Sequence, residues 1–253
     1  MEAPAILETH QLTKSFQGFV AVQSVDLRVR KGSIHALIGP NGAGKTTLFN
    51  LLTRFLRATS GRIVYKGEDI TGVPASAVTR RGIVRSFQIS AVYPHLTVLE
   101  NVRVALQRKH TNCYNFWRSE RHLEVLHDRA RELLESVGLG GFETVLAAEL
   151  PYGRKRALEI ATTLAADPEM MLLDEPTAGM TSADVSKVTA LVRRVAEGRT
   201  VLLVEHNLRV VSDLCDRITV MQRGQILAEG TYAEVSTNPE VRQAYMGQGH
   251  HHG

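Results

Sequence analysis

The segment Gly39-Pro40-Asn41-Gly42-Ala43-Gly44-Lys45-Thr46 satisfies the pattern G-x-x-x-x-G-K-[ST] at every fixed position. Ahead of it lies a short apolar run, Ser33 to Ile38, and behind it Lys45 to Leu56 carries Leu48, Leu51, Leu52 and Phe55 at helical spacing. Strand, glycine-rich loop and helix thus come in the order a phosphate-binding loop requires. Glycines let the backbone curl until successive N–H groups point inward at phosphate oxygens, and the helix N-terminus adds partial positive charge. Lys45 can reach the β and γ phosphates, Thr46 can ligate Mg²⁺, and Thr47 can add a hydroxyl contact. The expectation is a nucleotide-binding chain.

A second apolar run, Met170 to Leu173, ends in Asp174-Glu175. Ligands of open α/β sheets bind at the C-terminal ends of the strands, so this strand would deliver two acids to the phosphates. Asp174 would hold Mg²⁺ through water, and Glu175 would polarise the attacking water. Helix Ser182 to Ala196, strand Thr200 to Val204, helix Leu208 to Leu214 and strand Arg217 to Met221 come next. Such alternation implies a parallel sheet covered on both faces. The first thirty residues alternate apolar and polar (Phe19 to Val22, then Val25, Leu27 and Val29) and read as antiparallel strands closed by the Lys31-Gly32 turn. Between the two nucleotide motifs, Gly82 to Gln88 reads as a strand. From about Val98 to Ala166 the pattern turns helical, with Leu123, Leu126, Ala130, Leu133, Leu134 and Val137 on one face.

With 253 residues, 43% of them apolar and 22% charged, disorder of the whole chain is excluded. No stretch approaches the roughly 18 to 20 consecutive apolar residues that span a bilayer, so a membrane role would come through a partner. The start, MEAPAILETH, has no basic segment followed by an apolar one, and the expected location is the cytoplasm. Cys113 and Cys215 show no metal or redox spacing. The net charge of +4 is spread along the chain, at Arg80-Arg81, Arg154-Lys155-Arg156 and Arg193-Arg194, which argues against a nucleic-acid partner. His250-His251-His252 reads as part of a disordered tail, 249–253.

Three further features separate this chain from other phosphate-loop proteins. Gln88 closes a strand, Leu150-Pro151-Tyr152-Gly153-Arg154 opens a helix, and His206 comes directly after the next strand in Leu203-Val204-Glu205-His206-Asn207. With these the sequence resembles the ATPase subunits of ABC transporters, over essentially its whole length. The resemblance implies an α/β fold: a P-loop NTPase core with an antiparallel β subdomain and an inserted helical subdomain. Residues 1–88 and 167–248 would form the core and β subdomain of a single 1–248 domain, and 89–166 the helical subdomain.

It also implies ATP and Mg²⁺ as cofactors and hydrolysis to ADP and phosphate. Glu175, His206, Gln88 and Lys45 would be catalytic, and Thr46, Gln88 and Asp174 would meet the metal. Phe16 would stack on adenine with Val22 supporting the ring. Tyr152, Gly153 and Arg154 would face the γ phosphate held by a second ATPase subunit, since one copy cannot complete a site. Expected partners are that subunit, transmembrane permease subunits and, indirectly, a solute-binding protein. The expected address is the cytoplasmic face of the plasma membrane.

Two departures stand out. Pro151 and Tyr152 replace the serine and first glycine of the family's Leu-Ser-Gly-Gly-Gln, and Arg154 replaces its glutamine; Gly179-Met180-Thr181 replaces Gly-Leu-Asp. Arg154-Lys155-Arg156 then has two readings: compensating charge near the partner's γ phosphate, or a tract facing solvent or acidic lipid. Leu150-Pro151-Tyr152-Gly153, Leu158-Glu159-Ile160-Ala161, Ala178-Gly179-Met180, the extended His110 to Ser119 and the ending Asn238-Pro239-Glu240 through Met246-Gly247 resemble the larger ATPase of branched-chain amino-acid importers. These features are shared with urea, amide and aromatic-acid importers and with the ATPase of lipopolysaccharide export. Two other classes stay open: a P-loop phosphotransferase, which would need an acceptor pocket, and a nucleotide-gated binding module that hydrolyses little.

Overall fold

A computed structural model describes residues 3–86, 92–109 and 120–246. The expected N-terminal strands are present: β1 (Ala5–Phe16) pairs antiparallel with both β2 (Phe19–Val25) and β3 (Arg28–Arg30). Strand β4 (Ile34–Ile38) leads to the glycine-rich loop, and helix α1 (Lys45–Leu52) leaves it. This helix is a turn shorter than its spacing predicts. Thr53 caps it and turns its hydroxyl back onto the Phe49 carbonyl, and Arg54 adopts a left-handed φ of 62°. Phe55 is therefore displaced from the apolar face and lies exposed.

Two short strands that the sequence pattern does not announce, β5 (Ser60–Tyr65) and β6 (Glu68–Asp69), complete an antiparallel sheet of order β2-β1-β5-β6, with β3 also on β1. Helix α2 (Ala75–Arg80) precedes β7 (Ile83–Arg85), shorter than the strand expected from Gly82. The helical stretch contains α3 (Val98–Lys109), α4 (Glu120–Ser136) and α5 (Tyr152–Leu164). Between α4 and α5 the chain makes loops and one 3-10 turn, Ala147–Glu149, so helix is not continuous there. Leu126, Ala130, Leu133, Leu134 and Val137 are buried as one face, as their spacing predicts.

The rest alternates as expected: β8 (Met170–Asp174), α6 (Ser182–Ala196), β9 (Thr200–Val204), α7 (Leu208–Leu214) and β10 (Arg217–Gln222). The hairpin strand β11 (Gln225–Gly230) and helices α8 (Tyr232–Thr237) and α9 (Pro239–Met246) complete the described chain. The second sheet has the order β11-β10-β4-β9-β8-β7, parallel throughout except for β11.

Every residue of β4, β8 and β9 is buried, which is why these strands read as continuous apolar runs. Their side chains alternate between two cores. Ala36, Met171, Leu173, Val201 and Leu203 face a cluster shared with α3 to α7. Leu37, Met170, Leu172, Leu202 and Val204 face α1 and the antiparallel sheet. One apolar cluster thus runs from the parallel sheet into the helical stretch.

Candidate active site

Strands β4, β9 and β8 lie side by side and parallel, so their C-terminal ends share one edge. There an open cleft is lined by residues 41–47, Glu175 and His206. The loop can be built only with glycine at two points. At Gly39 (φ 149°) a Cβ would collide with the Met221 carbonyl, and at Gly44 (φ 101°) it would come within 2.5 Å of the Ala21 carbonyl oxygen. Gly44 is also the N-cap of α1 and supplies no side-chain acceptor. The first amides of that helix are left for a ligand oxygen.

Lys45 is buried, and its ammonium donates to the carbonyls of Gly39 at 2.6 Å and Pro40 at 2.9 Å. Burial holds its pKa below the ordinary lysine value, while Glu175 and Asp174 pull it back up. Thr46 is exposed and Thr47 half-buried. Asp174 ends β8 fully buried, one oxygen paired with Arg85 of β7, whose guanidinium also donates to Asn50 of α1 at 2.5 Å. The other oxygen, Oδ1, has no hydrogen-bond partner among the described residues.

Glu175 sits in a left-handed conformation, φ 46°, a strain of about 1–3 kcal/mol for a residue with a side chain. Its amide donates to the Val204 carbonyl at 2.9 Å, and its Oε1 lies 2.6 Å from Nε2 of His206. Two largely buried charges hold this strained turn. Arg156 donates to the carbonyls of Asp174 (3.0 Å), Glu175 (2.9 Å) and Pro176 (3.2 Å), and pairs with Glu159 at 2.5 Å. Glu205 accepts from Thr177 on one side and from the amides of His206 and Asn207 on the other.

The outward basic tract expected at 154–156 therefore fails for Arg156. Its side chain points at the end of β8, where three successive main-chain carbonyls converge and draw it inside. Arg154 stays exposed, its guanidinium 4.1 Å from the centre of the Phe142 ring. Tyr152, also exposed, donates its hydroxyl to the Ala178 carbonyl at 3.2 Å, and Gly153 faces Asp184 of α6.

Phe16 is 42% exposed at the tip of the β1–β2 hairpin, with the Lys14 ammonium 4.8 Å from its ring centre, so it is not a core residue. Val22 is: it is 0% exposed and packs in the cluster formed with α1. Gln88, the segment His110 to Ser119 and the tail 249–253 lie outside the described residues. Arg85 stands outside the sequence motifs, and Arg156 and Glu205 are quoted in them without a role of their own. The sole signals for them are a lone charge ending the apolar Ile83-Val84, an Arg/Glu pair spaced i, i+3, and an acid directly after an apolar strand.

A parallel sheet that brings a phosphate loop, two acids and a histidine to one edge defines a phosphate-loop nucleotide hydrolase. A family model described as ABC transporter matches residues 22–178, and one described as branched-chain amino acid ATP-binding cassette transporter matches residues 225–251. The high-affinity branched-chain amino acid transport ATP-binding protein BraF of Pseudomonas aeruginosa is 39% identical, over 96% of this chain and 98% of its own. LivG of Escherichia coli, named likewise, is 37% identical over the same shares.

Among solved structures, the ADP conformation of MJ1267, an ATP-binding cassette of an ABC transporter, superposes with a TM-score of 0.85 at 32% identity, covering 97% of this chain and 100% of that one. A dimeric post-hydrolysis state of the cassette MJ0796, bound to ADP and Pi, gives 0.76 at 26% identity, over 89% and 98%. The chain belongs to the ABC transporter family as an ATP-binding, ATP-hydrolysing subunit. Among the described residues no helix is long and apolar enough to cross a membrane.

Proposed function

We propose that this ATPase powers the import of branched-chain amino acids or a closely related small solute through a permease formed by other chains. The solute class is supported by the names of the relatives and by the C-terminal match. The hydrolytic role is carried by one observation, the 2.6 Å contact of Glu175 with His206 at the mouth of the phosphate loop. Glu175 is the base that takes a proton from the attacking water. His206, with its proton on Nε2, donates to one oxygen of that carboxylate and keeps the other free for the water.

Lys45 must trade the carbonyls of Gly39 and Pro40 for phosphate oxygens when the nucleotide enters, while the loop amides and the start of α1 take the rest of the charge. The unpartnered, buried Oδ1 of Asp174 is the kind of acceptor a divalent cation needs. Thr46, Asp174 and Gln88 would hold Mg²⁺, which when bound neutralises phosphate charge. Phe16 would stack on the base.

Tyr152, Gly153 and the start of α5 would face the nucleotide of a second ATPase subunit in a head-to-tail closure, a reading supported by the dimeric state of the MJ0796 cassette. Residues 89–166 would form the subdomain that meets the permease, holding the protein at the cytoplasmic face of the plasma membrane. Reconstitution with a permease, its partner ATPase and a solute-binding protein tests this reading. Phosphate release should rise when the binding protein is loaded with leucine, isoleucine or valine. Stimulation by an unrelated solute or by lipopolysaccharide alone would overturn the solute class.

A further inference from the structure

Glu205 is 3% exposed, and its carboxylate is consumed by the two loops that carry the reacting pair. Oε1 accepts from the Thr177 amide at 3.0 Å and from the Thr177 hydroxyl; Oε2 accepts from the amides of His206 at 2.9 Å and Asn207 at 3.1 Å. Thr177 lies two residues beyond Glu175, and His206 is the residue that Glu175 contacts. Both oxygens are thus spent on N–H and O–H groups of the chain itself, and neither lines the cleft. A buried carboxylate with its acceptor positions turned to loop backbone does no chemistry on a ligand; what it does is fix one loop against the other.

We propose that Glu205 is a positioning residue for hydrolysis, a brace between the turn after β8 and the loop after β9 that sets the Glu175–His206 contact. The proposal rests on the hydrolytic roles of Glu175 and His206. It has a chemical consequence that a mere packing role lacks. The brace needs acceptors at both ends. In Glu205→Gln the amide keeps the shape but has one acceptor and one donor. Whichever way it turns, one of the two loops meets N–H with N–H and must move away. A displacement near 1 Å at reacting groups costs on the order of 10²-fold in rate, whereas the phosphate loop, on β4, is untouched.

The test is a double-mutant cycle with Glu205→Gln and His206→Ala, reading kcat and KM for MgATP together with a crystal structure of nucleotide-free Glu205→Gln. The expected result is a fall in kcat of about 10- to 100-fold with KM unchanged within about twofold. In the His206→Ala background the same change should cost almost nothing, because the contact it positions is already gone. The structure should show Glu175 and His206 parted.

Equal losses in both backgrounds, or an intact 2.6 Å contact in the variant, would overturn the brace while leaving His206 its role. Wild-type turnover in His206→Ala would overturn the brace and that role together. If Glu205→Gln does not fold, Thr177→Val removes the hydroxyl arm from the other end of the brace. A several-fold loss of kcat that disappears in the His206→Ala background supports the proposal, and a loss that is additive overturns it.

Discussion

The edge of the parallel sheet and the start of α5 meet at the Glu175 turn, yet they are held in place by different means. At the sheet edge, three fully buried five-residue strands fix the origins of three loops, and backbone pairing does the positioning. At the start of α5, Pro151 supplies no side-chain cap, and the helix is joined to the rest of the site by side chains: Arg156 on three carbonyls, Tyr152 on the Ala178 carbonyl. A site element whose origin is fixed by a sheet keeps its fold when a side chain lining the cleft, such as Lys45, is changed. One positioned by a buried charge does not, because removal of that charge strands its partner.

That contrast predicts an order of effects. Lys45→Ala, on the sheet side, should lower ATP turnover by at least about 10²-fold and weaken ATP binding, with the fold kept; this is read from phosphate release and nucleotide titration. Wild-type turnover would remove the phosphate loop from the reaction.

Arg156→Met, on the helix side, should act on the fold itself. Glu159 would be left as a buried, unpaired carboxylate, a loss of about 3–5 kcal/mol, measurable by denaturant unfolding. Adding Glu159→Leu should recover most of that stability and not the turnover, since the carbonyls at 174–176 remain without their guanidinium. Recovery of both would show that α5 is tied to the turn by packing alone.

The two regions also differ in how far they could be foreseen. Gly39 to Thr46, the acids after Met170 to Leu173 and His206 after Thr200 to Val204 were legible because strand burial writes itself as an unbroken apolar run, and the residues just past such a run sit at the ligand edge. Arg156 was not. In sequence it belongs to a basic triplet that reads as surface, and nothing local says that three carbonyls some twenty residues ahead need a donor. Arg85 and Glu205 escape for the same reason, since Asp174 and Thr177, their partners across the sheet, are brought near only by the β7–β8 and β8–β9 pairings. In the fold, β5 leaves no clear signal because it carries mixed side chains and β6 because it is only two residues long, and the spacing overextends α1 because a left-handed Arg54 leaves no mark on it.

The sheet side also holds a buried histidine that sharpens the contrast. His35 of β4 is fully buried, bonded to the Thr219 hydroxyl at 2.8 Å, and burial lowers its pKa from 6.5 to about 4. The fold therefore favours the neutral ring. Its contribution is complete above pH 6.5 and is lost as the pH falls toward 4, an effect of about 3 kcal/mol. Unfolding midpoints compared between pH 7 and pH 4.5 should fall more steeply for the wild type than for His35→Val; parallel slopes would refute this.

The smallest effect belongs to Arg154→Gln. Its contact with Phe142 at an exposed site is worth about 0.5–1 kcal/mol, so stability should scarcely change. If Arg154 also meets the partner's phosphate, ATP-driven dimerisation at low salt should weaken. Unaltered dimerisation would leave Gly153 and the start of α5 as the trans contacts.

At the centre stands Glu175, held in a strained turn against His206 and proposed here as the base of an ATP hydrolysis completed by two subunits. Glu175→Gln, assayed with its partner ATPase present, measures that role most directly. The expected result is ATP binding within a few-fold of wild type, turnover reduced by about 10²-fold or more, and an ATP-bound dimer that accumulates on size exclusion. Turnover near the wild-type rate, or a variant that stays monomeric in saturating MgATP, would contradict it.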